Sequence, residues 1–215
     1  MGAVKNVTSD VLHLSIIKGS LMQKSSEANP EAVKREWKDD SGNVKFKWEV
    51  PCSKVSGMIT NVEFKLGDFG EQVIISLSDA DEDIKIYMPT DSRYFSDFAK
   101  KLPNIDLQSE VEVMPYDFEG DKGKNVKGMS VKQNKEKVYS HYYDADKKKT
   151  INGLPQPDPK EKKNFDTDDW KIFFMTEKKF LKKAVSKVDF SLAKVKAEVR
   201  NVDLTAEVGK EEVPF

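Results

Sequence analysis

A chain of 215 residues holds one ordinary domain with appendages or two small ones, and its 36 basic against 37 acidic side chains point to no partner class. The single Cys52 excludes an intrachain disulfide and a cysteine-rich zinc site, and fits a reducing compartment. No stretch approaches the length of a membrane span, Met1-Gly2-Ala3-Val4 carries no apolar run, and Asn6 stands where a myristoylation signal needs Ser or Thr, so a soluble cytoplasmic protein is expected.

Charge is unevenly spread: residues 55–120 carry five basic groups against fourteen acidic ones, whereas residues 121–150 carry nine Lys against four acids. The first predicted element is a strand over residues 11–17, with Leu12, Leu14 and Ile16 opposing Val11, His13 and Ser15. A hairpin follows. Val33, Arg35 and Trp37 share one side, Asp39-Asp40-Ser41-Gly42-Asn43 turns the chain, and Val44, Phe46, Trp48 and Val50 return, with Lys34, Lys38, Lys45 and Lys47 expected opposite. Such a sheet, aromatic on one face and basic on the other, either packs its rings on the body or offers them to a ligand.

From Val55 short strands succeed one another. Val62, Phe64 and Leu66 alternate with Asn61, Glu63 and Lys65; Gly67-Asp68-Phe69-Gly70 makes a turn; Val73, Ile75 and Leu77 point inward. After an acidic turn at 79–83, Ile84, Ile86 and Met88 are buried while Lys85 and Tyr87 face out. Asp91 or Ser92 caps a helix bearing Tyr94, Phe95, Phe98, Ala99 and Leu102, which Pro103 stops. Alternation resumes at 110–114 and runs through Tyr116 and Phe118 into a Gly and Lys loop, and a last strand spans 126–132.

Three strands, a helix and two strands is the order of the five-stranded OB barrel, whose helix plugs one end; a generic small barrel or split sheet shares the alternation. The expected fold class is mainly β with minor α: an OB-fold barrel with an N-terminal β-hairpin extension and a C-terminal helical or mixed extension. The expected divisions are 1–54 for the N-terminal strand and hairpin, 55–143 for the OB core, 144–169 for a Lys- and Pro-containing linker or long loop, 170–205 for a C-terminal helix and a further strand, and 206–215 for an acidic tail. In the fourth division Trp170, Phe173, Phe174, Leu181, Ala184, Val185 and Val188 form one helical stripe, with a strand over 170–174 as the alternative, and Ala193, Val195, Ala197 and Val199 alternate as a strand does.

Enzyme chemistry finds no support. His13 and His141 are far apart and lack an Asp at motif spacing, the acidic turn lacks the length, central Gly and closing Glu of a calcium loop, and no cofactor or metal is expected. Binding chemistry is better served. Unpaired nucleic acid is held by cations along its phosphates and by rings on which bases stack. Both ingredients occur in Trp37, Lys45, Phe46, Lys47 and Trp48, in Lys85 and Tyr87, and in Tyr116 and Phe118 leading into Lys122, Lys124, Lys127 and Lys132. OB barrels bind oligonucleotides across strands two and three and the loops joining strands one–two and four–five, where Phe69 and Phe118 are expected.

Glu211-Glu212-Val213-Pro214-Phe215, behind a Lys- and Pro-containing linker and a basic, aromatic OB-like core, resembles the single-stranded DNA-binding proteins of bacteria and their phages. In that family the tail ends in acids, an apolar residue, Pro and Phe, and recruits replication and repair proteins. The tip match covers five residues, and the barrel match is one of topology only. Lys210 in the tail, fewer Asp than the family shows, and the element at 170–199 depart from the bacterial pattern and favour a phage-type member acting in the host cytoplasm. The resemblance implies DNA replication, recombination and repair, with single-stranded DNA and, through 211–215, replication and recombination proteins as partners. No membrane partner is expected, and a homodimer is admissible. A protein–protein adaptor and an RNA-binding OB module stand as rivals.

Overall fold

The computed structural model describes residues 11–39, 41–68, 70–79 and 82–197, with the Lys122 side chain left aside. Phe69, that side chain and the 211–215 tip therefore lie outside the described residues.

Alternation of apolar and polar residues sets the architecture. Strands β1 (Val11–Ile17), β2 (Ser20–Ser25), β3 (Val33–Lys38), β4 (Val44–Cys52), β5 (Val55–Gly67), β6 (Gly70–Ser78), β7 (Asp83–Pro89), β8 (Val111–Glu119), β9 (Asn125–Gln133) and β10 (Glu136–Lys137) form one sheet in the order β10-β9-β8-β5-β6-β7-β1-β2-β4-β3. A two-stranded sheet, β11 (Tyr143–Asp144) with β12 (Lys149–Thr150), breaks the expected linker. Helix α1 (Arg93–Lys101) follows β7, and α2 (Thr167–Val185) lies near the end of the described chain.

The protein is mainly β with minor α, and among the described residues the sheet does not close into a barrel. Two features keep it open. The outer edge of β7 is taken by β1, paired in parallel with Leu14 opposite Ile86. The outer edge of β9 is paired with β10 at Lys132 and Gln133 and is met at Met129 by α1 side chains: Asp97 accepts from Met129 N at 2.8 Å, and Lys101 donates to Met129 O. A helix thus satisfies backbone groups that a closing strand would have paired.

β5 is the pivot. Its first residues, 55–57, pair with β8 and the rest, 58–67, with β6, and the register shifts at a bulge between Ile59 and Asn61. Gly57, at φ +153°, marks the change of partner; a Cβ there would lie 2.9 Å from Ser78 O.

The expected inward residues are in the core: Val73, Ile75, Leu77, Ile84, Ile86 and Met88 are all buried with Leu14 and Leu21 of the N-terminal strands. Leu66 departs from its row, 81% exposed at the end of the β5–β6 hairpin. Ser92, not Asp91, caps α1, its hydroxyl accepting from Phe95 N. Residues 170–174 are helical, and α2 begins earlier than the stripe suggested because Asp166 and Asp169 form a capping box. Residues 191–197 are helical too, not a strand: Phe190, Ala193 and Ala197 are buried at helical spacing while Val195 is exposed, and Asp189 accepts from Ser191 N at the start.

Candidate nucleic-acid interface

The expected binding residues fall in three places. The first is the β8–β9 hairpin, where Tyr116 opposes Gly128 and Phe118 opposes Val126 on the face turned from the core. Their rings lie 5.8 Å apart, and Phe118, in strand β8 and not in the loop, is 55% exposed. Tyr116 is anchored: its hydroxyl donates to Asp97 Oδ2 at 3.2 Å, and the same carboxylate takes Lys101 Nζ at 2.8 Å. Burial, then the Asp97 charge, pushes the Tyr116 hydroxyl up to about 12. Gly128 makes the reach possible, since a Cβ there would sit 2.3 Å from the Tyr116 hydroxyl and 2.4 Å from Asp97 Oδ2. Lys124 is exposed, and Lys127 pairs with Asp117 at 3.1 Å. Lys132 stands apart, six residues along β9 from Val126 or about 20 Å at strand rise, beside Glu112.

The second place is the outer face of β7. Lys85 and Tyr87 face out as expected, but Tyr87 is engaged: its hydroxyl lies 2.9 Å from His13 Nδ1, and the two rings stack at 5.6 Å. Across β6 the same rung ends at Glu63, so this face mixes charges.

The third is the β3–β4 hairpin, and here the expected faces are overturned. The turn pairs Lys38 with Val44, which sets Trp37 opposite Lys45, Arg35 opposite Lys47 and Lys34 opposite Trp48. Register partners share a face, so Trp37 lies with Lys45 and Lys47, while Phe46 and Trp48 lie on the other side with Lys34. Each face therefore alternates rings and cations: Arg35 sits 4.9 Å and Lys47 5.6 Å from the Trp37 ring, and Lys34 4.7 Å from Phe46. β2 pairs β4 only from Trp48 onward, so the outer part of the hairpin is a two-stranded arm with Val44 and Phe46 exposed. Its root is Glu49, 3% exposed, held by Arg35 through Nε at 2.6 Å and Nη2 at 3.2 Å.

Of the expected rings within the described residues, none is buried: Phe46 and Phe118 are exposed, and Trp37, Trp48, Tyr87 and Tyr116 are half-buried.

Sequence reasoning missed one neighbourhood. α1, the β8–β9 hairpin and α2 enclose an open cleft of about 630 Å³, to which Arg93, Lys127, Lys171 and Lys178 contribute cations, Tyr116 and Phe174 rings, and Asp91, Asp97 and Glu177 acids. Lys100 spans it, paired with Glu177 at 2.7 Å. The available signal was the run Phe173-Phe174-Met175, which cannot all face one core.

Among the described residues no three His, Cys, Asp or Glu side chains converge as metal ligands, and no helix is long and apolar enough to cross a membrane. No protein-family model, curated protein or solved structure matches the chain.

Proposed function

We propose that this protein binds single-stranded DNA without sequence preference and protects it during phage DNA replication, recombination and repair. The observation that carries the proposal is the β8–β9 hairpin, where Tyr116 and Phe118 stand side by side on an outward face near the exposed Lys124, while Lys127 lies on the other face of the hairpin beside Asp117. Rings accept any base and cations any phosphate, so the combination favours unpaired strands over a particular sequence.

In this reading β5 to β9 with α1 are a partly open OB unit. The support is their order, the helix between the third and fourth strands, and a first strand that divides its pairing between the second and the fourth. The β8–β9 hairpin is then the connection between strands four and five, a usual OB contact. The β3–β4 arm, with Trp37, Lys45, Phe46, Lys47 and Trp48, adds a second contact. Residues 211–215 recruit replication and recombination proteins and, in the absence of DNA, compete for the basic surface.

Titration of tryptophan emission with oligo-dT, supported by gel shifts against duplex, tests this. Binding should weaken about 50-fold between about 50 and 200 mM salt for roughly four neutralised phosphates, and Phe118→Ala should cost about 1–3 kcal/mol. Deleting residues 207–215 should raise affinity at low salt and abolish partner capture. Absence of oligo-dT binding at low salt would sink the proposal, and preference for a ribo-oligomer would redirect it to RNA. A protein–protein adaptor is the second reading, favoured by Leu192 and Val195, 64% and 58% exposed on the 191–197 helix.

A further inference from the structure

The N-terminal half of α2 carries Trp170, Ile172, Phe173, Phe174 and Met175, yet the buried residues of this helix are Leu181 and Val185, both in its other half. That half is well fastened. Lys182 bonds Glu71 and lies 5.0 Å from the Phe64 ring, and Phe180 packs edge-on against Tyr142 at 5.5 Å. Two of the outer rings have a local explanation. Phe165, just before the Asp166 cap, meets Trp170 four positions into the helix at 5.2 Å, the hydrophobic staple that fixes the entry of a helix.

Phe174 has no such role. It is 54% exposed, lies 5.7 Å from Trp170 with the two planes inclined by 26°, and lines the cleft opposite Tyr116. Phe173 meets the same ring at 5.5 Å and 65°, so Phe174 is steadied by two neighbouring rings while more than half of it stays exposed; such a ring suits base stacking, because little side-chain freedom remains to be lost on binding. Cations surround it: Arg93, Lys127, Lys171 and Lys178 line the same cleft. Arg93 and Lys178 make no ion pair among the described residues. The Lys171–Asp168 pair, at 2.7 Å, has side chains 69% and 80% exposed, so water screens it and a phosphate can replace it.

We propose that α2 forms the far wall of the strand-binding cleft, with Phe174 backed by Trp170 as a base-stacking platform and with Arg93, Lys171 and Lys178 as phosphate contacts. The ligand class is an unpaired polynucleotide, and the inference rests on the single-strand reading above. The path runs from Phe118 and Tyr116 on the β8–β9 hairpin across the cleft to the helix, so the binding surface extends beyond the OB-like unit.

The chain has three tryptophans, so Trp37→Phe with Trp48→Phe leaves Trp170 as the sole reporter. In that background oligo-dT should change Trp170 emission. In the wild-type chain Phe174→Ala should lower oligo-dT affinity about five- to tenfold. Lys171→Glu with Lys178→Glu should lower it more than tenfold at low salt and flatten its salt dependence. Both positions are off the core, and unchanged thermal midpoints would separate loss of contact from loss of fold. If the wild-type chain binds oligo-dT but the variants bind equally well and Trp170 emission does not move, α2 is not in the path and only this inference falls. If the wild-type chain does not bind at all, the single-strand reading itself falls. A wild-type dimer that Phe174→Ala converts to a monomer with unchanged DNA affinity would assign this face to a second copy and overturn the inference.

Discussion

Asp97 joins three elements through one carboxylate: its own helix through Lys101, strand β9 through Met129 N, and strand β8 through the Tyr116 hydroxyl. This is why a tyrosine on an outward face is only half exposed and holds a fixed ring plane. The contact has a pH signature. The folded chain keeps the Tyr116 proton up to about 12, whereas an unfolded tyrosine releases it near pH ~10. The unfolded state sheds its proton first, so this stabilisation is complete below about pH 10 and is lost as pH rises through the folded value. Tyr116→Phe should cost about 1 kcal/mol at pH 8, and the gap between the two proteins in urea unfolding should close above pH ~10. A gap that is constant across that range would mean the hydroxyl contributes nothing that titrates.

At the scale of elements, the β3–β4 arm shows how a hairpin can stand away from the body. A two-stranded ribbon is marginal in water by itself, so its order depends on its root. There Glu49 is 3% exposed and Arg35 grips it with two nitrogens, which also brings the guanidinium to the Trp37 ring. Arg35→Ala leaves a buried carboxylate without its partner. The expected cost is about 2 kcal/mol, below that of a fully buried pair because the Arg35 side chain is 31% exposed. Restoration by Glu49→Gln in the same chain, measured by thermal unfolding, would tie the cost to the stranded charge; equal stability of the single variant and wild type would refute it. Individual strands were legible because period-2 alternation is local. The faces of this arm were not, because they depend on which residue pairs with which across the turn, and a shift of one residue exchanges them. The 191–197 helix was misread for a related reason: Ala193, Val195, Ala197 and Val199 alternate in sequence, but Phe190, Ala193 and Ala197 are the residues buried.

For the whole molecule, the insertion of β1 and β2 is decisive. The N-terminal segment reads as an extension, yet β1 pairs with β7, β2 joins β1 to β4, and Leu14 and Leu21 belong to the same core as Ile84 and Ile86. A chain beginning at residue 26 should therefore lose cooperative unfolding and aggregate, since it bares the β7 edge and apolar core surface together. A soluble, cooperatively folding 55–143 fragment would show that the OB-like unit is self-sufficient after all.

The sequence by itself determined the mainly β class, the limits of most strands, the inward rows of β6 and β7, the place of α1, and the outward presentation of Lys85 and Tyr87. All of these follow from spacing and turn chemistry within a few residues. Only the tertiary structure decided that β1 occupies the edge of β7, that Asp97 and Lys101 satisfy β9, that the hairpin mixes rings and cations on both faces, and that α2 brings Phe174 across from Tyr116. The hairpin pairing is set by register across its turn; the other contacts join residues tens of positions apart, and their selection rests on backbone hydrogen-bond satisfaction and burial summed over the whole chain, which no local pattern encodes.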